Sequence, residues 1–164
     1  MVTSPVSLRI VEATEQDIPL ILHFIRELAQ YERLLDRVEN NEDRIRRTLF
    51  GENRDIQAVI AYEGDVPVGY AVFFYTYSTF VGLRGLYLED LYVRPAARGK
   101  GFGRALLTYL AGVARAQDCW RMEWAVLNWN ESAIRFYEGL GAVQMNEWTT
   151  YRIFGDALDR LAAD

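Results

Sequence analysis

Six residues, Arg98-Gly99-Lys100-Gly101-Phe102-Gly103, form a glycine-rich run at a junction. An apolar strand pattern, Leu86–Val93, precedes it, and an amphipathic helical pattern begins at about Gly101. Such a junction gathers free backbone N–H groups and the positive end of a helix dipole at one point, which attracts an anion, most often a phosphate. Spacing separates the motifs that share this chemistry. The dinucleotide fingerprint G-x-G-x-x-G fails, because the third glycine position after Gly99 and Gly101 is Arg104. The P-loop G-x-x-x-x-G-K-[ST] fails, because Lys100 is followed by Gly101. What remains is R-x-x-G-x-G, with Arg98, Gly101 and Gly103. Alone, that pattern fits a plain glycine turn as well as a phosphate site.

The elements that must hold this turn follow from periodicity. Leu8–Glu12 reads as a first strand. Thr14 and Asp17 form a helix start of capping-box type, and Ile18, Ile21, Leu22, Ile25 and Leu28 share the face of a helix that runs to about Tyr31. Asn41 to Phe50, closed by Gly51, reads as a shorter helix. Gln57–Tyr62 and Val66–Tyr77 read as strands joined by the turn Glu63-Gly64-Asp65. Gly85–Val93 is the strand before the turn, and Phe102–Ala116 the helix after it, with Leu106, Leu107, Leu110 and Val113 inward. Arg121–Leu127 then reads as a strand, Ser132–Gly139 as a helix, Val143–Met145 and Thr149–Phe154 as closing strands, and Asp156–Ala162 as a last helix. An antiparallel meander followed by a β-α-β unit predicts a mixed α/β fold: a mostly antiparallel sheet with one parallel pair, 86–93 beside 121–127. Splaying of that pair at its C-terminal ends would open a cleft.

Composition narrows the chemistry. The chain has 164 residues and a net charge of −5, with no long basic run, so nucleic acid is not an expected partner. One cysteine, Cys119, and one histidine, His23, leave too few ligands for a Cys/His zinc site, and no metal is expected. No apolar run approaches the length of a membrane span, and Met1–Ser7 lacks a signal pattern. The expectation is one domain over residues 1–164, without a membrane partner, in the cytoplasm.

Three segments line up around the turn: Tyr87-Leu88-Glu89-Asp90-Leu91-Tyr92-Val93 before it, Trp124 to Asn130 after the helix, and then Ala133-Ile134-Arg135-Phe136-Tyr137-Glu138-Gly139-Leu140-Gly141-Ala142. In this order the chain resembles the GNAT superfamily of acyl-CoA-dependent N-acetyltransferases over nearly its whole length. The segments Ile25–Glu32, Tyr75–Phe80, Tyr87–Asp90 and Trp129-Asn130-Glu131 resemble its diamine (spermidine/spermine) and thialysine acetyltransferase branch. The resemblance implies a GNAT-like mixed sheet of six to seven strands flanked by helices, acetyl-CoA as co-substrate, a small amine as acceptor, and a homodimer.

It also implies roles for residues. The amides of Arg98, Gly99, Lys100, Gly101, Phe102 and Gly103 would meet the pyrophosphate of acetyl-CoA, with Arg98 and Lys100 adding charge. Backbone groups of Leu91, Tyr92 and Val93 would hold the pantetheine and the thioester carbonyl, one amide stabilising the oxyanion. Asn130 and Ala133 would lie on the CoA side. Tyr137 would protonate the departing thiolate, since a phenol with an ordinary pKa of about 10 is protonated at neutral pH. Glu89 would accept the proton of the amine through water. Glu89 and Asp90 should face opposite sides of a regular strand, unless a bulge intervenes. Glu89 is the expected base and Asp90 a substrate contact or structural acceptor. Glu27 would bind the far amine, and Tyr151 would belong to the acceptor site.

The chain departs from this pattern in ways that bear on the acceptor. Ser78 stands where polyamine-specific members carry an acidic residue. Ala133 replaces a serine, Phe80 a tryptophan, and Tyr151 stands where the diamine enzymes place a tryptophan. Loss of a carboxylate weakens the case for a long polycation, and Ser78-Thr79 resembles the thialysine-type members. Two other readings remain open from the sequence: acetylation of peptide amines, and an idle acyl-CoA-binding module.

Overall fold

The computed structural model describes residues 8–163, which form two compact units, one ending at Ala125 and one starting at Val126. The first unit is built on one sheet. Strand β1 (Leu8–Glu12) leads through Thr14, whose N–H donates to Asp17 Oδ2 at 2.8 Å, into α1 (Ile18–Tyr31). Helix α2 (Glu42–Leu49) starts at Asn41, whose side chain accepts from Arg44 N at 2.9 Å. Strands β2 (Ile56–Glu63) and β3 (Val66–Ser78) form the expected hairpin, with Gly64 at φ +64° in the turn. Strand β4 (Leu83–Val93) is followed by α3 (Phe102–Ala116) and by β5 (Arg121–Trp124).

Sheet order is β1-β2-β3-β4-β5, antiparallel throughout except for the parallel pair β4–β5. Helix α1 buries Ile18, Ile21 and Phe24 on one face of the sheet, against Ile60, Tyr70, Val72 and Tyr92, and Ile45 of α2 joins them. Helix α3 buries Leu106, Leu107 and Leu110, as its periodicity requires; Val113 is half-buried. Each such side chain contributes roughly 1.5–3 kcal/mol by leaving water.

Two features of β4 decide where a site can form. First, Val72 pairs with Asp90, but Phe73 pairs with Leu88, so Glu89 is an extra residue opposite no partner on β3. This is a β-bulge, and it resets the alternation of the strand. Second, the ladder with β5 runs from Gly85↔Arg121 to Leu88↔Trp124 and stops at the bulge. From Glu89 to Val93, β4 has β3 on one side and no pairing with β5 on the other. The parallel strands part there, and β5 is shorter than the expected Arg121–Leu127.

The second unit contains α4 (Glu131–Glu138) and α5 (Asp156–Ala163). The expected strands Val143–Met145 and Thr149–Phe154 are irregular, so the sheet has five strands among the described residues rather than six or seven. Alternation and β-branched content suggested strands, but strand propensity is realised only against a neighbour. Here Val143, Trp148, Tyr151 and Phe154 are largely exposed.

Candidate functional site

The glycine turn leaves β4 through Pro95–Ala97 and enters α3 at Phe102. Gly99 and Gly101 have φ of +76° and +89°, conformations that side chains other than glycine rarely adopt. A Cβ placed on either meets nothing within 4 Å, so the space over the turn is open. Gly101 is the N-cap of α3 and Phe102 its buried first residue, so the first amides of the helix, including that of Gly103, face the turn without intrahelical partners. Donor-rich backbone beside open space is the chemistry that a pyrophosphate requires.

The two cations of the turn are turned toward the protein. Lys100 Nζ lies 2.9 Å from Glu63 Oε1 and 3.1 Å from Oε2. Arg98 Nε donates to the Val93 carbonyl at 2.9 Å, and its guanidinium sits 4.6 Å from the ring centre of Tyr31. Neither pairing was legible from local spacing.

The face of the sheet under α1 carries the carboxylates. Tyr70, fully buried and stacked on Phe24 at 5.2 Å, donates its hydroxyl to Asp90 Oδ2 at 2.5 Å. Burial pushes the Asp90 carboxyl above its ordinary pKa, and the Tyr70 hydrogen bond partly offsets this. Burial also raises Glu32, with the charge of Asp90 adding to it. Glu89 is exposed on the bulge and close enough to Tyr87 and Tyr70 to raise both phenols, behind the larger effect of burial. Glu32, one residue beyond α1, was not singled out from the sequence; only its place at the end of the Ile25–Glu32 segment could have marked it.

Glu27 is engaged by two neighbours. Arg94 Nε donates to both of its oxygens at 3.1 Å, Arg94 Nη2 to Oε1 at 2.9 Å, and His23 Nε2 lies 2.8 Å away. Arg94 also donates to the Pro67 carbonyl at 2.9 Å and lies over the Phe24 ring. Glu27 thus ties α1 to the end of β4, and its oxygens are already bonded. Leu91 and Val93 are half-buried and Tyr92 is buried, all on the stretch of β4 that β5 leaves unpaired.

In the second unit, Asn130 caps α4 by accepting from Ala133 N at 3.3 Å. Tyr137 lies in the last turn of that helix, half-buried, its ring 5.4 Å from that of Phe136. Tyr151 is 92 % exposed on the irregular segment. In the first unit, Ser78 ends β3 and accepts from Val81 N at 3.4 Å, while Phe80 at the hairpin tip is 98 % exposed. A crevice of about 980 Å³ lies beneath the C-terminal half of α3, lined by Gln57, Tyr75, Arg84 and Tyr109 among others; it includes none of the expected site residues. Among the described residues no group of His, Cys, Asp or Glu is placed to hold a metal, and no helix is long and apolar enough to cross a membrane.

Comparison with known proteins agrees with this geometry. The thialysine N-epsilon-acetyltransferase of Sus scrofa is 40 % identical over 95 % of this chain and 98 % of its own length. An L-ornithine N5-acetyltransferase of Arabidopsis thaliana is 31 % identical over 93 % of this chain and 87 % of its own. The structure of an integron cassette protein from the mobile metagenome of V. cholerae superposes with a TM-score of 0.82 at 27 % identity, covering 96 % of this chain and 99 % of that one. The model of the acetyltransferase (GNAT) family matches residues 22–142, and with the glycine turn, the bulged β4 and the parted parallel strands in place, the chain belongs to that family and is an N-acetyltransferase.

Proposed function

We propose that the enzyme transfers the acetyl group of acetyl-CoA to the side-chain amine of a small amino acid or short diamine, of the thialysine, lysine or ornithine type. The observation that carries this reading is the set of carboxyls Glu89, Asp90 and Glu32 beside the unpaired stretch of β4. An ammonium group is attracted there, and a carboxylate within reach of it takes its proton. The two relatives named above act, by their names, on side-chain amines of amino acids, which supports the same class.

Acetyl-CoA supplies an activated thioester. The protein's part is to hold it and to move protons. The amides of residues 98–103 bind the pyrophosphate, and Leu91, Tyr92 and Val93 offer backbone groups to the pantetheine and the carbonyl oxygen. Glu89 is the base, through water. Asp90, fixed by Tyr70, sets the field at the amine with Glu32. Tyr137 is the acid for the thiolate, and Asn130 and Ala133 belong to the CoA side. Tyr151 and Ser78 bear on acceptor choice, the neutral Ser78 disfavouring a long polycation. Glu27 acts on the acceptor side through Arg94 and Tyr92 rather than as a first contact. The resemblance further leads us to propose a cytoplasmic homodimer.

The test is release of CoA thiol from acetyl-CoA across a panel of thialysine, lysine, ornithine, putrescine, spermidine and a lysine-containing peptide. Thialysine, lysine or ornithine should give the highest kcat/KM. Faster turnover of the peptide would reassign the acceptor, and silence across the whole panel would reduce the protein to an acyl-CoA-binding module.

A further inference from the structure

Arg98 touches three elements at once. It belongs to the glycine turn that opens α3, its Nε holds the Val93 carbonyl at 2.9 Å at the end of β4, and its guanidinium lies over Tyr31, the last residue of α1, at 4.6 Å. The same guanidinium is 5.7 Å from the ring of Tyr92, whose phenol pKa is raised first by burial and further by the charge of Glu27, the partner of Arg94. A planar guanidinium can stack and donate together, which an ammonium group does not reproduce. The turn on which it rides contains two glycines at positive φ, the most deformable kind of backbone. A ligand that fixes the amides of the turn therefore fixes the root of Arg98, and through it the end of α1.

We propose that Arg98 is a positioning residue that couples the donor turn to the end of α1, so that loading the turn with CoA orders residues 28–34, and that it is not principally a charge partner for the phosphates. What the α1 end does for the acceptor rests on the proposed acceptor. The coupling rests only on the CoA-binding part of that reading, because it joins the turn to a helix end whatever the acceptor is. The physical basis is shared ordering cost: a segment stiffened by the first ligand costs less to order for the second.

Hydrogen exchange of the amides of residues 28–34, with and without CoA, reads the coupling directly, and calorimetry reads CoA affinity. In the wild type, CoA should slow exchange there by at least about fivefold. At saturating CoA, Arg98→Met should transmit no slowing, and Arg98→Lys, which keeps the charge but not the planar fork, should behave like Arg98→Met. Tyr31→Leu removes the stacking partner without touching the turn, and should uncouple exchange at unchanged CoA affinity. The proposal is overturned if CoA leaves the wild-type segment unslowed, if the slowing survives in Arg98→Met or Tyr31→Leu, or if Arg98→Met loses more than about threefold in CoA affinity and Arg98→Lys restores it. Absence of amine turnover in the wild type would sink the acceptor assignment and leave the exchange result to decide the coupling.

Discussion

The Tyr70 hydroxyl donates to Asp90 Oδ2 at 2.5 Å from a ring that is wholly buried against Phe24. The pair spans the β3–β4 ladder beside the bulge at Glu89. It fixes a carboxyl in a place where ionisation is costly: burial raises the Asp90 pKa, and burial, with Asp90 itself, raises Glu32. For a carboxyl whose folded pKa lies above its unfolded value, the folded state holds the proton more tightly. Its contribution to stability is full below the unfolded value, about 4, and is lost as pH rises through the folded value.

Asp90→Asn should therefore be more stable relative to wild type at neutral pH than at pH about 4, because it removes one of the contributions lost as pH rises. Urea midpoints across this range measure it; a wild type and an Asp90→Asn variant with parallel pH profiles would remove Asp90 as a source. Tyr70→Phe should act in the opposite sense. It takes the hydroxyl donor from a half-buried carboxyl, costs about 1–3 kcal/mol at neutral pH, and moves the pH window upward.

Gly101→Ala separates backbone strain from ligand exclusion. At φ +89° an alanine costs about 1–2 kcal/mol, and its Cβ clashes with nothing in the protein. The methyl group instead enters the open space over the turn. Stability should fall by that modest amount, while CoA affinity should fall by more than about tenfold, equivalent to roughly 1.4 kcal/mol. Calorimetry beside thermal unfolding checks both; a drop in stability with CoA affinity intact would place the phosphates elsewhere.

The Glu27–Arg94 pair predicts a structural phenotype first. Glu27→Gln removes the charge that accepts three N–H contacts from Arg94, a group only about a quarter exposed. Charge-assisted bonds of this kind are worth about 1.5–3 kcal/mol, so the variant should unfold at lower urea than wild type. Arg94→Lys should do the same, because an ammonium group cannot hold both oxygens and the Pro67 carbonyl. If Glu27→Gln raises the KM for amine with stability unchanged, Glu27 is a direct acceptor contact instead.

These relationships mark the boundary of what the chain discloses by pattern. Helices α1 and α3, the β2–β3 hairpin and the glycine turn were legible because each is a local regularity: a face repeated every three or four residues, an alternation, a Gly64 turn, a Thr14–Asp17 capping box. The pairings that shape the site are not local. Tyr70 reaches Asp90 across 20 residues, Lys100 reaches Glu63 across 37, and Arg94 reaches Glu27 across 67. No spacing rule encodes them. The bulge at Glu89 was an open alternative in the sequence, since one extra residue in a strand leaves no compositional trace. It also ended β5 early, because the parallel ladder stops where β4 changes phase. At residues 143–154 the error ran the other way: the alternation of Tyr151 and Ile153 looks like a strand, yet no ladder forms there.

Tyr137→Phe tests the assigned acid. The phenol lies in the last turn of α4, a helix capped by Asn130, and the ring rests near Phe136. Removing one oxygen leaves the ring and its packing, so CoA affinity should stay within about threefold while kcat falls by roughly 10²–10⁴-fold, the range for a general acid. The size of the loss should depend on the leaving group. Acetyl thioesters of more acidic thiols need less protonation as the thiolate departs, so the ratio of wild-type to Tyr137→Phe rates should shrink toward one along such a series. A constant ratio would mean that the hydroxyl positions a substrate, and unchanged turnover with acetyl-CoA would take Tyr137 out of the reaction altogether. Glu89→Gln run on the same series should keep a constant ratio, because proton removal from the amine does not depend on the thiol.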